Sequence, residues 1–345
     1  MDLGAGIFNP PTVGSGDMSD DDRLRDVADD RGFEIGAAVA AQPLRTDSGY
    51  KEVLRNEFNY VSAENALKMG PLRPEPGVYD FNDADAVVDY AREHDMSVRG
   101  HTLAWHNQTP EWFQEWDYTS GQIRDFLRDH IHTTAGRYRA RVDTWDVINE
   151  GVDDDGTMRE NLWYEALGEE YFDLAFEYAN EVAPDTDLYY NDYGADGVNE
   201  KSDAIYDLVS RLLDRGVPID GVGLQMHALH AKPDPESVAE NIRRFKDLGL
   251  EVEVTEMDVA YLPDDDPGEQ ETRWEKQADF YREITEVCLD EDVDTLIVWG
   301  VRDSDSWIPN WFESLTDDPL LFTGGNDPKP AYHAIRDTLA NYEPQ

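Results

Sequence analysis

Two acidic segments of the chain have the residue types that chemistry on a substrate requires. Residues 250–260 read as an apolar, strand-forming stretch, yet Glu251, Glu253, Glu256 and Asp258 place four carboxylates in it. A strand tolerates buried ionised carboxylates only when they have partners. This stretch is therefore either the solvated edge of a sheet or part of a site, and taken alone it leaves both interpretations open.

A second carboxylate, Glu150 in the run WDVINEG, makes a specific reaction possible. Glu150 and Glu256 lie on different strand candidates, among Trp, His, Asn and Gln residues. A pair of acids in such surroundings is typical of glycoside hydrolysis, in which one acid protonates the leaving oxygen and the other faces the anomeric carbon. A separation of about 5 to 5.5 Å would give retention of configuration and about 6.5 to 9.5 Å inversion.

The elements that must position this pair alternate between strands and helices. Apolar β-rich runs occur at 33–39, 58–61, 96–103, 142–148, 188–190, 222–226, 250–257 and 295–299. Helical patterns lie at 83–94, 122–138, 161–182, 200–215, 236–248, 273–289 and 331–341. Eight strand–helix units without a Gly-rich phosphate fingerprint favour an α/β fold of the (β/α)8 TIM-barrel type over a doubly wound sheet. We predict a flexible lead-in over residues 1–20 and one catalytic barrel domain over residues 21–345.

Polar residues recur where these strand candidates end. They are Glu64 and Asn65, His101 to Trp105, Asn149 and Glu150, Asn191 and Asp192, Gln225 to His227, Glu256 to Asp258, and Trp299. In a (β/α)8 barrel the carboxyl ends of the strands form one ring, and the active site lies there. Because the polar residues fall repeatedly at strand ends, Glu256 and Asp258 are interpreted as part of a site. Glu251 and Glu253 keep the surface interpretation and have no assigned role.

Composition excludes several classes of partner. The chain has 345 residues, 40% of them hydrophobic, which is enough for a large core, and a formal net charge of −47. Such a surface repels nucleic acid and anionic membranes, and it predicts a halophilic protein that molar salt stabilises.

A single cysteine, Cys288, excludes an intrachain disulfide. No export signal or membrane span is visible in the chain.

Ten motifs, in order, resemble the glycoside hydrolase family 10 xylanases over residues 24–342. They are GFEIGAAVA, FNYVSAENALKMG, YDFNDAD, VRGHTLAWHNQTPEWF, WDVINEG, YYNDYG, GVGLQMH, VEVTEMD, VWGVRDSDSW and DPLLFTGGNDPKPAYHAI. The resemblance implies an endo-1,4-β-xylanase that acts on xylan and xylo-oligosaccharides by a retaining double displacement. The chain departs from the family pattern at Met69, Met226 and Thr323, which affects details of the cleft and not the catalytic pair.

The resemblance also implies roles for individual residues. Glu256 would be the nucleophile and Glu150 the acid/base. His227 would bond to the nucleophile and be held by Asp258, and Asn149 would bond to the sugar 2-hydroxyl.

A set of sugar-binding residues follows in the same way. The reacting subsite would be lined by Gln225, His101, Lys68, Trp105 and Trp299, and the next subsite by Glu64, Asn65, Gln108 and Trp307. Trp105 and Trp299 could instead be core aromatics. His101 and His106 could suggest a metal pair, but no third ligand is in phase, so no metal or cofactor is expected. We expect His106 to pair with Asp146.

Two rival functions stay open, a noncatalytic sugar-binding or inhibitor barrel and a glycosidase for glucan or mannan. The first would be expected to have lost one Glu or to have filled the cleft, and neither is seen. A cleft closed by Gln108 and Trp307 near C5 of the sugar would reject glucan sterically. The protein is expected to be a monomer. Its polymeric substrate favours an extracellular location; the alternative is a cytoplasmic enzyme that acts on imported xylo-oligosaccharides.

Overall fold

The computed structural model describes residues 22–115, 117–229, 232–261, 269–311 and 318–343. The lead-in predicted for residues 1–20 lies outside the described residues, and it stays a prediction.

All eight predicted strands are present in the described part of the chain. The strands are β1 Glu34–Val39, β2 Tyr60–Ala63, β3 Ser97–Ala104, β4 Thr144–Asn149, β5 Asp187–Asp192, β6 Gly221–Leu224, β7 His227–Ala228, β8 Glu251–Val259 and β9 Thr295–Val298. The two-residue strand β7 pairs with the end of β8, through His227 opposite Asp258. The other eight build the main sheet.

The eight main strands close into a parallel barrel. Successive strands from β1 to β6 are neighbours, β6 pairs with β8, and β9 lies between β8 and β1. Every one of these pairings is parallel, so each strand is followed by a crossover of the chain along the outside of the barrel. The predicted (β/α)8 barrel is confirmed, and all strand carboxyl ends meet at one rim.

Helices surround the barrel and bury their apolar faces against it. They are α1 Leu24–Arg31, α2 Ala41–Thr46, α3 Ser48–Glu57, α4 Met69–Leu72, α5 Asn82–Glu93, α6 Glu111–Gln114, α7 Ser120–Tyr138, α8 Leu162–Leu167, α9 Glu170–Val182, α10 Glu200–Asp214, α11 Pro235–Asp247, α12 Gln270–Asp290, α13 Ile308–Trp311 and α14 Pro330–Asn341. The single helix predicted over 161–182 is wrong. Gly168, with φ of 63°, ends α8, and α9 starts two residues later because the left-handed conformation cannot continue a helix.

Polar side chains occupy the inside of the barrel below the rim. A Cβ at Gly223 of β6 would lie 2.2 Å from Asn191 Oδ1 and 3.1 Å from Arg99 Nη2, so glycine leaves the space that these side chains fill. The surface interpretation is correct for the exposed Glu251 and wrong for Glu253, which is 7% exposed. Glu251 is the first residue of β8, whereas Glu253, two residues further along the same face of the strand, lies inside the barrel and bonds to Arg99.

Candidate active site

One cavity, of about 1100 Å³, opens at the carboxyl ends of the strands. Twelve of the fourteen residues predicted to form the site line this cavity, namely Glu64, Asn65, Lys68, His101, Trp105, Gln108, Glu150, Gln225, His227, Glu256, Trp299 and Trp307. The other two, Asn149 and Asp258, are buried beneath its wall and bond to Glu150 and His227. The structure therefore brings the whole predicted set together.

Glu256 is a buried carboxylate held by three side chains. Its Oε1 accepts a hydrogen bond of 2.7 Å from Asn191 Nδ2 and lies 3.8 Å from His101 Nδ1, and its Oε2 lies 3.2 Å from His227 Nε2. Burial by itself raises the pKa of this carboxyl. The imidazole of His101 and the hydrogen bond from His227 outweigh burial, and the pKa is lowered from 4.5. Glu256 is thus ionised at neutral pH and equipped to attack an electrophilic carbon.

His227 connects Glu256 to a second buried acid. Its Nδ1 lies 3.0 Å from Asp258 Oδ1, while its Nε2 faces Glu256. Burial lowers the pKa of His227, but Asp258 and Glu256 act against burial and raise the pKa well above 6.5. The ring is therefore a cation that donates from both nitrogens, which fixes its orientation between the two carboxylates.

Glu150 sits directly after β4, at the rim. Its φ of 58° is uncommon for a residue other than glycine, and its backbone N–H donates to Asn191 O at 2.8 Å. Oε2 accepts a 2.8 Å hydrogen bond from Trp105 Nε1, and Oε1 accepts from Asn149 Nδ2 at 3.2 Å. The side chain is 12% exposed, more than that of Glu256, so one carboxylate faces the open cavity and the other lies deeper.

A chain of hydrogen bonds joins the two carboxylates. The amide nitrogen of Asn191 donates to Glu256 Oε1 at 2.7 Å and to Asn149 Oδ1 at 2.8 Å, and Asn149 in turn donates to Glu150. Thr255 Oγ1 donates to the oxygen of Asn191 at 2.7 Å, which orients the amide. Sequence reasoning placed Asn191 at a strand end but gave it no role; its place in the run YYNDYG, level with the other polar strand ends, was the available signal.

The expected pairing of His106 with Asp146 is wrong. His101 Nδ1 lies 2.8 Å from Asp146 Oδ2, whereas His106 Nδ1 lies 3.6 Å from Glu150 Oε2. The reason is the position of each histidine on the chain: His101 points inward from within β3, beside β4, and His106 is already on the loop above the rim. Burial lowers the pKa of His106, so its ring is neutral beside Glu150 at neutral pH.

Aromatic rings and a lysine form one wall of the cavity. Lys68 Nζ lies 4.7 Å from the ring centroid of Trp105 and 6.0 Å from that of Trp299. Burial lowers the pKa of Lys68, and Glu256, Glu64 and Glu150 oppose that shift. Trp299 is only 6% exposed, as a core aromatic would be. Its exposed part nevertheless faces the cavity.

Amide groups extend this wall. Asn65 donates to Glu64 Oε1 at 2.9 Å and accepts, at 3.2 Å each, from Lys68 Nζ and Gln108 Nε2. Hydroxyl-rich ligands are recognised by such clusters of orientated donors and acceptors, with aromatic faces beside them.

The cavity is also lined by residues that sequence reasoning missed. Tyr193, Asn199 and Lys201 line it. Lys201 Nζ lies 3.4 Å from the centroid of the Tyr193 ring and 3.0 Å from Asp192 Oδ1, and these contacts hold the tyrosine at the cavity wall. Tyr193 follows the predicted strand end directly, so the same motif carried the signal.

Comparison with known proteins assigns the family. The model for glycosyl hydrolase family 10 matches residues 23–338. The chain belongs to glycosyl hydrolase family 10. It is therefore a glycoside hydrolase, which agrees with a carboxylate pair at the rim of a parallel barrel.

Relatives in family 10 match the chain over nearly its full length. An endo-1,4-beta-xylanase B of Thermotoga neapolitana is 39% identical over 324 residues, 93% of this chain and 92% of the relative. The crystal structure of native xylanase 10B from Thermotoga maritima has a TM-score of 0.88 at 39% identity and covers 92% of this chain and 98% of its own. That of xylanase 10B from Thermotoga petrophila RKU-1, in complex with xylobiose, has a TM-score of 0.88 at 37% identity and covers 94% and 98%.

Among the described residues, no group of three or more His, Cys, Asp or Glu side chains is arranged to hold a metal ion. Within the same residues, no helix is long and apolar enough to cross a membrane.

Proposed function

We propose that the protein is an endo-1,4-β-xylanase that hydrolyses internal β-1,4-xylosidic bonds of xylan with retention of configuration. One observation carries this proposal. Glu150 and Glu256, at the ends of β4 and β8, face one cavity, are joined through Asn149 and Asn191, and differ in exposure and partners. A partly exposed acid beside a deeper, ionised carboxylate suits the acid/base and nucleophile roles of a double displacement.

In the proposed reaction each carboxylate has a separate role. Glu256 attacks the anomeric carbon while Glu150 protonates the glycosidic oxygen, so the bond to the leaving sugar breaks and a glycosyl–Glu256 ester forms. Glu150 then takes a proton from water, the water oxygen attacks the same carbon, and the ester bond breaks with Glu256 as the leaving group.

The neighbours of the pair would assist both steps. His227 and Asn191 keep Glu256 ionised and aimed at the sugar. Asn149, which already donates to Glu150, would also bond to the 2-hydroxyl, where contacts that strengthen in the transition state contribute several kcal/mol.

The preference for xylose is proposed on steric grounds. Xylose lacks the hydroxymethyl group of glucose, and Gln108 and Trp307 line the cavity on the side proposed to face C5. A glucan or mannan glycosidase is the alternative. A noncatalytic barrel is disfavoured because both acids are present and the cavity between them is open.

The test is the product of the reaction. The anomer formed first from xylan in molar salt should be β by NMR, and chromatography should show oligosaccharides of several lengths. An α first product would exclude retention, and xylose alone would exclude internal cleavage. Aryl xylobioside should be turned over at least about 10-fold faster than aryl cellobioside, because an extra group in a closed pocket costs about 1 to 3 kcal/mol. Equal rates would favour the glucanase alternative.

Further properties are proposed with the activity. Residues 21–345 form the catalytic domain after a flexible lead-in, and the protein acts as a monomer. It binds neither nucleic acid nor membrane, since both carry negative charge like its own. It is secreted to reach polymeric xylan; cytoplasmic action on imported xylo-oligosaccharides is the alternative.

A halophilic character is proposed from charge. The formal net charge of −47 comes from 76 acids against 29 bases. Many of the described ion pairs are exposed, such as Arg124 with Glu170, and contribute little in salt. Screening of the excess acids at high ionic strength would remove the repulsion that opposes folding.

A further inference from the structure

Glu253 belongs to a buried ionic cluster beneath the cavity. Its Oε2 accepts a hydrogen bond of 2.6 Å from Arg99 Nη1, and Arg99 is fully buried inside the barrel. The other edge of the same guanidinium holds Asp146: Nε lies 3.1 Å from both carboxylate oxygens and Nη2 lies 2.5 Å from Oδ1. One buried cation is thus shared by two buried acids, and the cluster carries one excess acid.

This cluster reaches the nucleophile through a single histidine. Asp146 Oδ2 lies 2.8 Å from His101 Nδ1, and the same nitrogen lies 3.8 Å from Glu256 Oε1. The path from Glu253 through Arg99, Asp146 and His101 to Glu256 is therefore a continuous series of polar contacts. It starts in a residue that the proposed reaction does not use.

We propose that Glu253 is a positioning residue whose ionisation changes the charge beneath the catalytic pair, through Arg99 and Asp146, and so sets the alkaline limit of activity. This inference deepens the proposed function and rests on it for the identity of the reaction. The ionisation of Glu253 in the folded protein does not depend on the reaction, and it can be measured by unfolding without any substrate.

The surroundings of Glu253 support its titration near neutrality. The ionisable groups that face it come from five strands: Glu34 on β1, Tyr60 on β2, Arg99 on β3, Asp146 on β4 and Tyr189 on β5. Burial raises its pKa, Arg99 and a hydrogen bond with Tyr189 oppose the rise, and the pKa is about 7. The cluster is neutral in slightly acidic solution and carries one net negative charge in alkaline solution.

That negative charge acts on a defined step. The first step of the proposed reaction needs a proton on Glu150, and hydrogen bonds through Asn191 and Asn149 join Glu256 to that acid. A buried negative charge beneath this series opposes loss of the proton. Removal of the charge should therefore narrow the pH range of activity on the alkaline side only. On the acid side Glu253 is protonated and neutral, so its replacement by a neutral isostere changes nothing there.

The activity test compares Glu253→Gln with Glu251→Gln on aryl xylobioside. Glu251 is on the same strand, two residues away, but is exposed, so its replacement removes the same formal charge without touching Arg99. In Glu253→Gln the alkaline limb of kcat/KM should move to lower pH by about 0.3 to 1 unit, the size of one charge acting through protein, with the acid limb unchanged. Glu253→Asp, which keeps the charge, should restore the limb towards wild type.

Unfolding supplies the second test, and it needs no substrate. The folded-state pKa of Glu253 lies above the ordinary 4.5, so the stability it contributes is complete below that value and is lost as pH rises through about 7. Glutamine does not titrate. The melting temperature of Glu253→Gln minus that of wild type should therefore increase between about pH 5 and about pH 8, while the Glu251→Gln difference stays flat.

The outcomes separate the two proposals. Superimposable alkaline limbs for Glu253→Gln and wild type, or an equal shift in Glu251→Gln, would overturn the role of Glu253. A flat melting difference would overturn its titration. If wild-type protein does not cleave the xylobioside, the proposed function fails, and the melting series still decides whether Glu253 titrates. A Glu253→Gln protein that does not fold at about pH 5, where Gln mimics the protonated acid, would also contradict the inference.

Discussion

Trp307 Nε1 donates a hydrogen bond of 2.7 Å to Asp258 Oδ2. The other oxygen of Asp258 lies 3.0 Å from His227, so one fully buried carboxylate holds two aromatic side chains of the cavity wall. Trp307 was predicted to line a sugar subsite and to close the cleft near C5. Its indole N–H also belongs to the series of contacts that orients Glu256, the proposed nucleophile.

The change Trp307→Phe separates these two contributions. It keeps an aromatic face for the sugar but deletes the donor to a charged oxygen, a contact that contributes about 1.5 to 3 kcal/mol. We expect kcat on aryl xylobioside to fall about 10-fold or more with little change in KM. Trp274→Phe in α12, outside the set of cavity-lining residues, is the matched control. A raised KM at unchanged kcat would mean that Trp307 acts as a platform alone.

Replacement of Asn191 by Ala should shift the acid limb of the pH profile. Asn191 donates to the ionised form of Glu256, so its loss raises the pKa of that carboxyl and moves the limb of kcat/KM upward by about one pH unit. Asn241→Ala is the control, because Asn241 is an equally buried amide that bonds to two backbone carbonyls away from the carboxylate pair. It should lower the melting temperature and leave the limb in place. Identical limbs for wild type and Asn191→Ala would refute the bridging role.

Variants of the two carboxylates proposed to be catalytic should respond differently to the leaving group of the substrate. Glu256→Ala is expected to abolish turnover of every substrate, since no nucleophile remains. Glu150→Ala should spare aryl glycosides with good leaving groups, which need little protonation, and lose most activity on xylan. Steady-state rates on both substrate types decide the point, with melting curves to establish that both variants fold. Equal losses on the two types would contradict the assigned roles.

Salt should stabilise the folded protein. The Debye length falls from about 30 Å at 0.01 M to about 3 Å at 1 M, so repulsion among the excess acids is largely screened. The melting temperature is expected to rise between dilute buffer and molar KCl or NaCl at pH 7. At about pH 4, where many carboxylates are protonated, the rise should be smaller. A midpoint that stays constant or falls at pH 7 would rule out the halophilic proposal.

Local patterns along the chain were sufficient for the fold and for most of the cavity lining. Strand candidates, polar strand ends and the ten motifs predicted the (β/α)8 barrel and placed Glu150 and Glu256 at one rim. This works because in a parallel barrel every strand carboxyl end lies at the same edge, so position along a strand converts directly into position in space. The exception over 161–182 arose where Gly168 interrupts an otherwise helical pattern.

Only the tertiary structure decided which polar side chains meet. Asp146 bonds to His101 and not to His106, Asn191 bridges the two acids, and Glu253 lies inside the barrel on Arg99. Each contact joins strands that are far apart in sequence. The partner of each side chain depends on the strand register and on which side chains point inward. A shift of the register by one residue would turn every side chain of the strand to its other face. Residue types along the chain therefore predicted what the site contains, while the closure of the barrel determined how its charges are paired.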